Sequence, residues 1–211
     1  MSIKETFGFI EFSSTASMCD RHEPEDYVTE FNGNIVVFDN QFNEVDAGTI
    51  NGKLFAIGNV VNDNRSMIET VDSSIELEEM MSYVWNYKSN TFKASAIGED
   101  NYAIDSVIII DEILIKPMYS GNNYALHAIQ TTVGHWCKGT NWLLLLKASP
   151  LQHCLRTSDD IIDKFDLGRF SDEEKEATSK LITHYSKIGL ESIDDTNFMY
   201  VNSAYKTKFK I

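Results

Sequence analysis

The run from Ser106 to Trp136, SVIIIDEILIKPMYSGNNYALHAIQTTVGHW, sets the tightest limit on what this chain can fold into. Val107 to Ile115 is dense in β-branched residues and reads as a buried strand. Pro117 and Gly121 break it. Leu126, Ile129, Val133 and Trp136 then fall on one face of a helix, with Asn122 or Asn123 placed to cap its first N–H groups. Gly139-Thr140-Asn141 turns the chain into Trp142 to Leu146, an apolar run suited to a strand covered on both faces. Two such strands joined by one amphipathic helix are predicted to lie side by side and parallel, since parallel pairing needs a crossover and the crossover is handed. A helix N-terminus that leaves a loop at a strand end is a geometry suited to anions.

A second helix is predicted from Ser171, where Ser171 and Glu174 have capping-box spacing and acidic residues fill the first turn. Leu181, Ile182, Tyr185 and Ile188 continue it, Gly189 stops it, and a final strand pair is expected near Phe198 to Tyr200. Strands are also expected at Phe7 to Phe12 and Asn34 to Phe38, with a polar surface loop or short helix from Ser13 to Tyr27. Ala47 to Val61 reads as a hairpin turning at Asn51-Gly52. Ser73 or Ser74 starts a helix carrying Leu77, Met80, Met81, Val84 and Trp85, with Glu76 completing a capping box with Ser73. Met80 and Met81 suit core packing first and a substrate pocket second. Ala94 to Ile97 and Tyr102 to Ile104 are candidate edge strands, and Asp159 to Phe165 is a short helix flanked by Arg156 and Arg169, whose simplest role is solvation.

At 211 residues the chain suits one domain, with 1–105 an N-terminal sheet-and-helix half and 106–211 the half built around the central loop. The net charge of −14 argues against nucleic acid, where Lys and Arg must replace counterions, and favours a basic substrate or partner surface. Cys19, Cys137 and Cys154 are odd in number and widely spaced, which implies reduced thiols and a cytoplasmic protein. Neither His135-x-Cys137 nor His153-Cys154 has zinc spacing, so no metal is expected. No stretch is long and apolar enough for a membrane span, and no membrane partner is expected. There is no nucleophile-elbow pattern and no Walker-type loop. Composition leaves a homodimer open.

The central loop, Ile-Lys-Pro-Met-Tyr-Ser-Gly-Asn-Asn-Tyr-Ala, resembles the acyl-CoA loop of the GNAT N-acetyltransferase superfamily, hydrophobic-x-Pro-x-x-[Arg/Gln]-Gly-x-Gly-x-[Gly/Ala]. Ser120 stands at the Arg/Gln position, Gly121 follows, Asn123 stands at the central Gly, and Ala125 is last. Tyr-Ser-Lys-Ile-Gly-Leu-Glu, from Tyr185 on, is similar to the Tyr-x-Lys-x-Gly-Phe that closes the last helix of many GNAT proteins, with Leu190 in place of Phe and Thr178 where Asn is common. The resemblance covers roughly the C-terminal half. It implies an α/β fold, a GNAT-like mixed twisted sheet with helices on both faces.

The resemblance further implies an acyl-CoA-dependent N-acyltransferase using acetyl-CoA or another acyl-CoA as cosubstrate, with a cationic amine, small molecule or protein, as acceptor. The cosubstrate would be held by Ile113, Ile115, Tyr119, Ser120, Gly121, Asn122, Asn123, Tyr124 and Ala125. Backbone N–H groups from Ser120 to Ala125 would cradle its phosphates. Tyr185 matches the phenol that protonates the CoA thiolate, and Glu112 matches a carboxylate acting as general base, with its neighbour Asp111 pointing to the opposite face. His184 is expected on another side of the helix from Tyr185. The alternative is a non-catalytic GNAT-like domain whose acidic surface binds a protein partner, a reading fed by the changes at Ser120 and Asn123 and by the charge of −14.

Overall fold

The two apolar runs form the middle of one seven-stranded sheet. The computed structural model describes residues 8–15, 23–71, 75–93, 96, 103–154, 157–169, 171–203 and 209. In chain order the elements begin β1 (Gly8–Thr15), β2 (Val28–Phe38), β3 (Glu44–Phe55), α1 (Ile57–Asn62), α2 (Met67–Val71) and α3 (Ile75–Val84). A ribbon of β4 (Trp85–Asn86) and β5 (Thr91–Phe92) follows, then β6 (Ser106–Ile115), α4 (Tyr124–Trp136) and β7 (Trp142–Lys147). The chain ends with α5 (Asp159–Lys164), α6 (Glu174–Tyr185), β8 (Glu191–Ser192) and β9 (Phe198–Asn202). The strand order is β1-β2-β3-β6-β7-β9-β8. Every neighbouring pair is antiparallel except β6 and β7, which run parallel with α4 as their crossover.

Strand alternation divides the core in two. Ile108, Ile110, Leu144 and Leu146 face one side and pack with Leu126, Ile129 and Val133 of α4. Leu181 and Ile182 bring α6 against the same side. Val107, Ile109, Leu143 and Leu145 face the other side and meet Ile57, Val60, Met67, Val71, Met80, Met81 and Val84 of α1 to α3. Helices therefore cover both faces, and the consecutive buried residues of β6 and β7 are what a doubly covered parallel pair requires. Met80 and Met81 belong to this core and do not line the pocket described below. Each such side chain contributes about 1.5–3 kcal/mol on burial.

Several local expectations change under tertiary packing. Ala47 to Phe55 is not a hairpin but part of one long strand, and Ile57 onward is helix α1. The turn lies earlier, at Asp39 to Asn43, where the Asp39 carboxylate accepts from the Gln41 and Asn43 N–H groups at 2.7 and 2.9 Å. Gly52 is needed inside β3 because a Cβ there would lie 2.1 Å from the Ile109 carbonyl oxygen. Asn51 is needed there because its side chain donates to Glu112 across the strand pair at 3.2 Å. A turn motif is thus spent on a close strand approach.

β1 runs on through Ser13 to Thr15, Pro24–Tyr27 is one turn of 3-10 helix, and β2 begins at Val28, six residues before the expected start. Residues 103–105 are not strand. The remaining candidate-edge residues except Ala96 and Ile104, both caps proposed for α3, Cys19 and Arg156 lie outside the described residues. At α6 the Ser171–Glu174 capping box does not form: the N-cap is Glu173, and Ser171 instead accepts from the Glu173 N–H at 3.3 Å and donates to Glu176 at 2.6 Å. One 3-10 turn, Ser186–Ile188, follows α6, and Gly189 ends it at φ 92°, as its position implied.

Candidate functional site

β6 and β7 pair only from Ser106↔Trp142 to Ile110↔Leu146. Beyond that point they part. β6 continues to Ile115 beside β3, while the chain after β7 stays with β9, the Ala148 N–H donating to the Asn197 carbonyl at 2.8 Å. The parting starts at a β-bulge. Gly52 pairs with Ile110 and Asn51 with Glu112, so Asp111 is the extra residue. A bulge bends its strand and strengthens the local twist, which carries β6 away from β7.

A pocket of about 450 Å³ fills the gap. Ile113, Leu114 and Ile115 all line it. Successive strand residues point to opposite faces, so all three can border one cavity only along a free strand edge. The far wall is Ser149 to Gln152, the stretch that follows β7, together with Leu167 and Ser171. α6 contributes Ala177, Lys180, Leu181, His184 and Tyr185, a regular i, i+3, i+4, i+7, i+8 stripe. The loop and the start of α4 contribute Tyr119, Ser120, Gly121, Asn123, Tyr124 and Ala125.

Eight of the nine residues predicted to hold a cosubstrate therefore share one cavity, and Asn122 is the exception. Its amide donates to the Tyr119 carbonyl at 3.4 Å instead. Asn123 is the N-cap residue of α4, in left-handed geometry at φ 59°, but its side chain makes no capping hydrogen bond. The first-turn N–H groups of α4 thus carry no capping side chain at the pocket's edge. Tyr119 and Tyr124 stand edge to face across this loop, with ring centroids 6.0 Å apart.

Tyr185 lies in the pocket half-buried, and burial pushes its phenol up to about 12. It is a proton donor at neutral pH. His184 lines the same pocket, contrary to its expected place on another side of α6. Adjacent helical residues differ by about 100°, and a face more than 100° wide takes in both. The stripe from Ala177 to Tyr185 was the signal that could have found His184 and Lys180. Among the described residues no acidic side chain lines the pocket, although the chain has 32. The one charged lining residue among those described is Lys180, whose ammonium pairs with Glu176 at 2.7 Å on the exposed side of α6.

Glu112 is not part of this lining. Simple alternation would carry it onto the α4 side with Ile108 and Ile110, but the bulge shifts the phase, and Ile113 and Ile115 take that side. Glu112 faces the opposite side, half-buried against Asn51. Burial raises its carboxyl above the ordinary 4.5, and the Asn51 amide offsets part of that rise. A carboxyl that holds its proton more tightly folded than unfolded supports the fold at low pH, and that support fades as pH rises through the folded value. Glu112→Gln is accordingly expected to raise the urea midpoint relative to the parent at pH 7 but not below pH 4.5. An equal difference at both would show that ionisation of Glu112 does not bear on stability.

Among the described residues no group of three or more His, Cys, Asp or Glu side chains is arranged to hold a metal ion, and no helix is long and apolar enough to cross a membrane. Compared with known proteins, the chain matches no family model, no curated protein and no solved structure.

Proposed function

We propose that this chain is a GNAT-type N-acyltransferase that binds an acyl-CoA in the pocket between β6 and β7 and passes the acyl group to a cationic amine. The observation that carries the reading is the pocket itself: it opens where two parallel strands part, it is bordered by the start of α4, and none of its described lining residues is a carboxylate. A surface of net charge −14 would repel CoA, but local charge governs binding at close range, and here the first turn of α4 borders the pocket while the Lys180 ammonium is balanced by Glu176. The apolar edge of β6 suits a pantetheine arm, and the N–H groups from Gly121 to Ala125 suit the diphosphate, that of Ser120 already donating to the Pro117 carbonyl at 3.1 Å. The amine nitrogen attacks the thioester carbonyl carbon, the C–N bond forms, the C–S bond breaks, and the departing thiolate takes the proton of Tyr185.

Calorimetry and thermal unfolding with acetyl-CoA, longer acyl-CoAs and free CoA test this reading. A ligand at a hundredfold its Kd that binds only the folded state adds about 2.7 kcal/mol of stability. No heat and no stabilisation at millimolar ligand would remove the enzyme reading and leave partner binding by the acidic surface.

Two loop variants sharpen the test. Asn123→Gly keeps the left-handed turn at no conformational cost and removes the side chain beside the phosphates, so it is expected to tighten acyl-CoA binding. Gly121 sits at φ 82° with nothing within 4 Å of an added Cβ, so a side chain there meets open space but a strained backbone. Gly121→Val is expected to cost about 1–2 kcal/mol of loop conformation and to weaken binding. The opposite order of affinities would place the ligand away from this loop.

A further inference from the structure

Acyl transfer needs a group to take the proton that the amine loses, and we propose that His184, rather than Glu112, takes it. This rests on the acyl-transfer reading of the pocket. A proton acceptor has to share the cavity with the reacting atoms, directly or through one water. His184 lines the pocket next to Tyr185, with ring centroids 5.8 Å apart, whereas Glu112 is not among the lining residues and instead accepts from the Asn51 amide. Among the described residues the titratable groups lining the cavity are Lys180, His184 and Tyr185 of α6 with Tyr119 and Tyr124 opposite, and β6 and the Ser149 to Gln152 wall add none. Among these side-chain types, imidazole is the one suited to serve as a base near neutral pH.

The surroundings suit that role. Burial and the Lys187 ammonium both lower the proton affinity of His184 below the ordinary 6.5, so the ring is neutral when substrate arrives. The same influences make the imidazolium formed after transfer give up its proton readily to solvent. The balance is complete for an acceptor that enters as the neutral amine, its ammonium proton left in solvent: the nitrogen that attacks the carbonyl carbon gives its surplus proton to His184, and the thiolate released by C–S cleavage takes one from Tyr185. Water then removes the first proton and restores the second.

The test follows thiol release from acetyl-CoA with a panel of diamines, polyamines and lysine peptides from pH 5 to 9, alongside NMR of the His184 ring with acetyl-CoA. For the parent, kcat/KM is expected to fall on an acid limb below pH 6.5. His184→Gln should lower kcat by about 10²-fold or more, abolish that limb and leave acetyl-CoA affinity within twofold. His127→Gln, on the exposed side of α4, should keep the limb. Bound acetyl-CoA should move the ring resonances of His184, whichever amine proves to be the acceptor. Ring resonances that stay still, or an acid limb that survives His184→Gln and disappears in Glu112→Gln, overturns the proposal while acyl-CoA binding stands. Absence of acetyl-CoA binding in the parent overturns the acyl-transfer reading itself, and the assignment to His184 with it.

Discussion

Tyr185→Phe is expected to lower turnover about 10²-fold or more while leaving the unfolding midpoint and acyl-CoA affinity close to those of the parent. The change removes one oxygen and keeps the ring, so the packing of Tyr185 against the α4-side core is retained. What is lost is a proton that burial holds on the phenol up to about pH 12. Without it the thiolate must leave unprotonated or find its proton in solvent, and the C–S bond breaks more slowly. An effect confined to the chemical step lowers kcat and kcat/KM together and leaves binding unchanged. Stopped turnover with acetyl-CoA and unaltered calorimetry would support this role. Unchanged turnover would make Tyr185 a packing residue whose position in the pocket has no chemical part.

Leu144→Ala is expected to cost about 2–5 kcal/mol of stability, the range for deleting a large side chain from a site that cannot collapse. Leu144 is 0% exposed at the centre of β7, between Ile108 on one side and Val201 on the other. Ile129 and Val133 of α4 belong to the same packed cluster. The strands on both sides hold it in register, so relaxation into the void is limited. A comparable truncation at Ile68, which is 46% exposed, should stay within about 0.5 kcal/mol. Urea unfolding of the two variants measures the difference, provided the slope with denaturant is the same in both. Equal losses would mean that the parallel pair is not the centre of the core.

Much of the site's frame was legible from residues 106–211. The β-branched run from Val107 to Ile115, the breakers Pro117 and Gly121, and periodicity 3.6 in Leu126 to Trp136 specify a strand, loop and helix from local properties alone. The handedness of crossovers then supplies the parallel partner. The loop residues could be grouped in advance because they are contiguous. The other half of the pocket, Ser149 to Gln152, Lys180 and His184, comes from segments that approach the loop only after the chain folds. The N-terminal half was less legible because its strongest local signal, Asn51-Gly52, has two uses. It marks a two-residue hairpin turn when the chain folds back on itself, and a close strand approach when another strand lies beside it.

By itself the sequence determined the elements that depend on near neighbours: the two central strands, the helix between them, the last helix and its stop at Gly189. Their patterns span a few turns or strand repeats, and solvent alone is enough to orient them. Tertiary structure decided which residues face the cavity. The bulge at Asp111 shifts the phase of β6, moves Glu112 away from the pocket and sends the strand off from β7. It forms against Gly52 and Asn51, and Asn51 is 61 residues from the Glu112 it bonds. No local period records a partner at that distance. The side of a strand on which a carboxylate ends up therefore depends on a contact that exists only in the folded sheet.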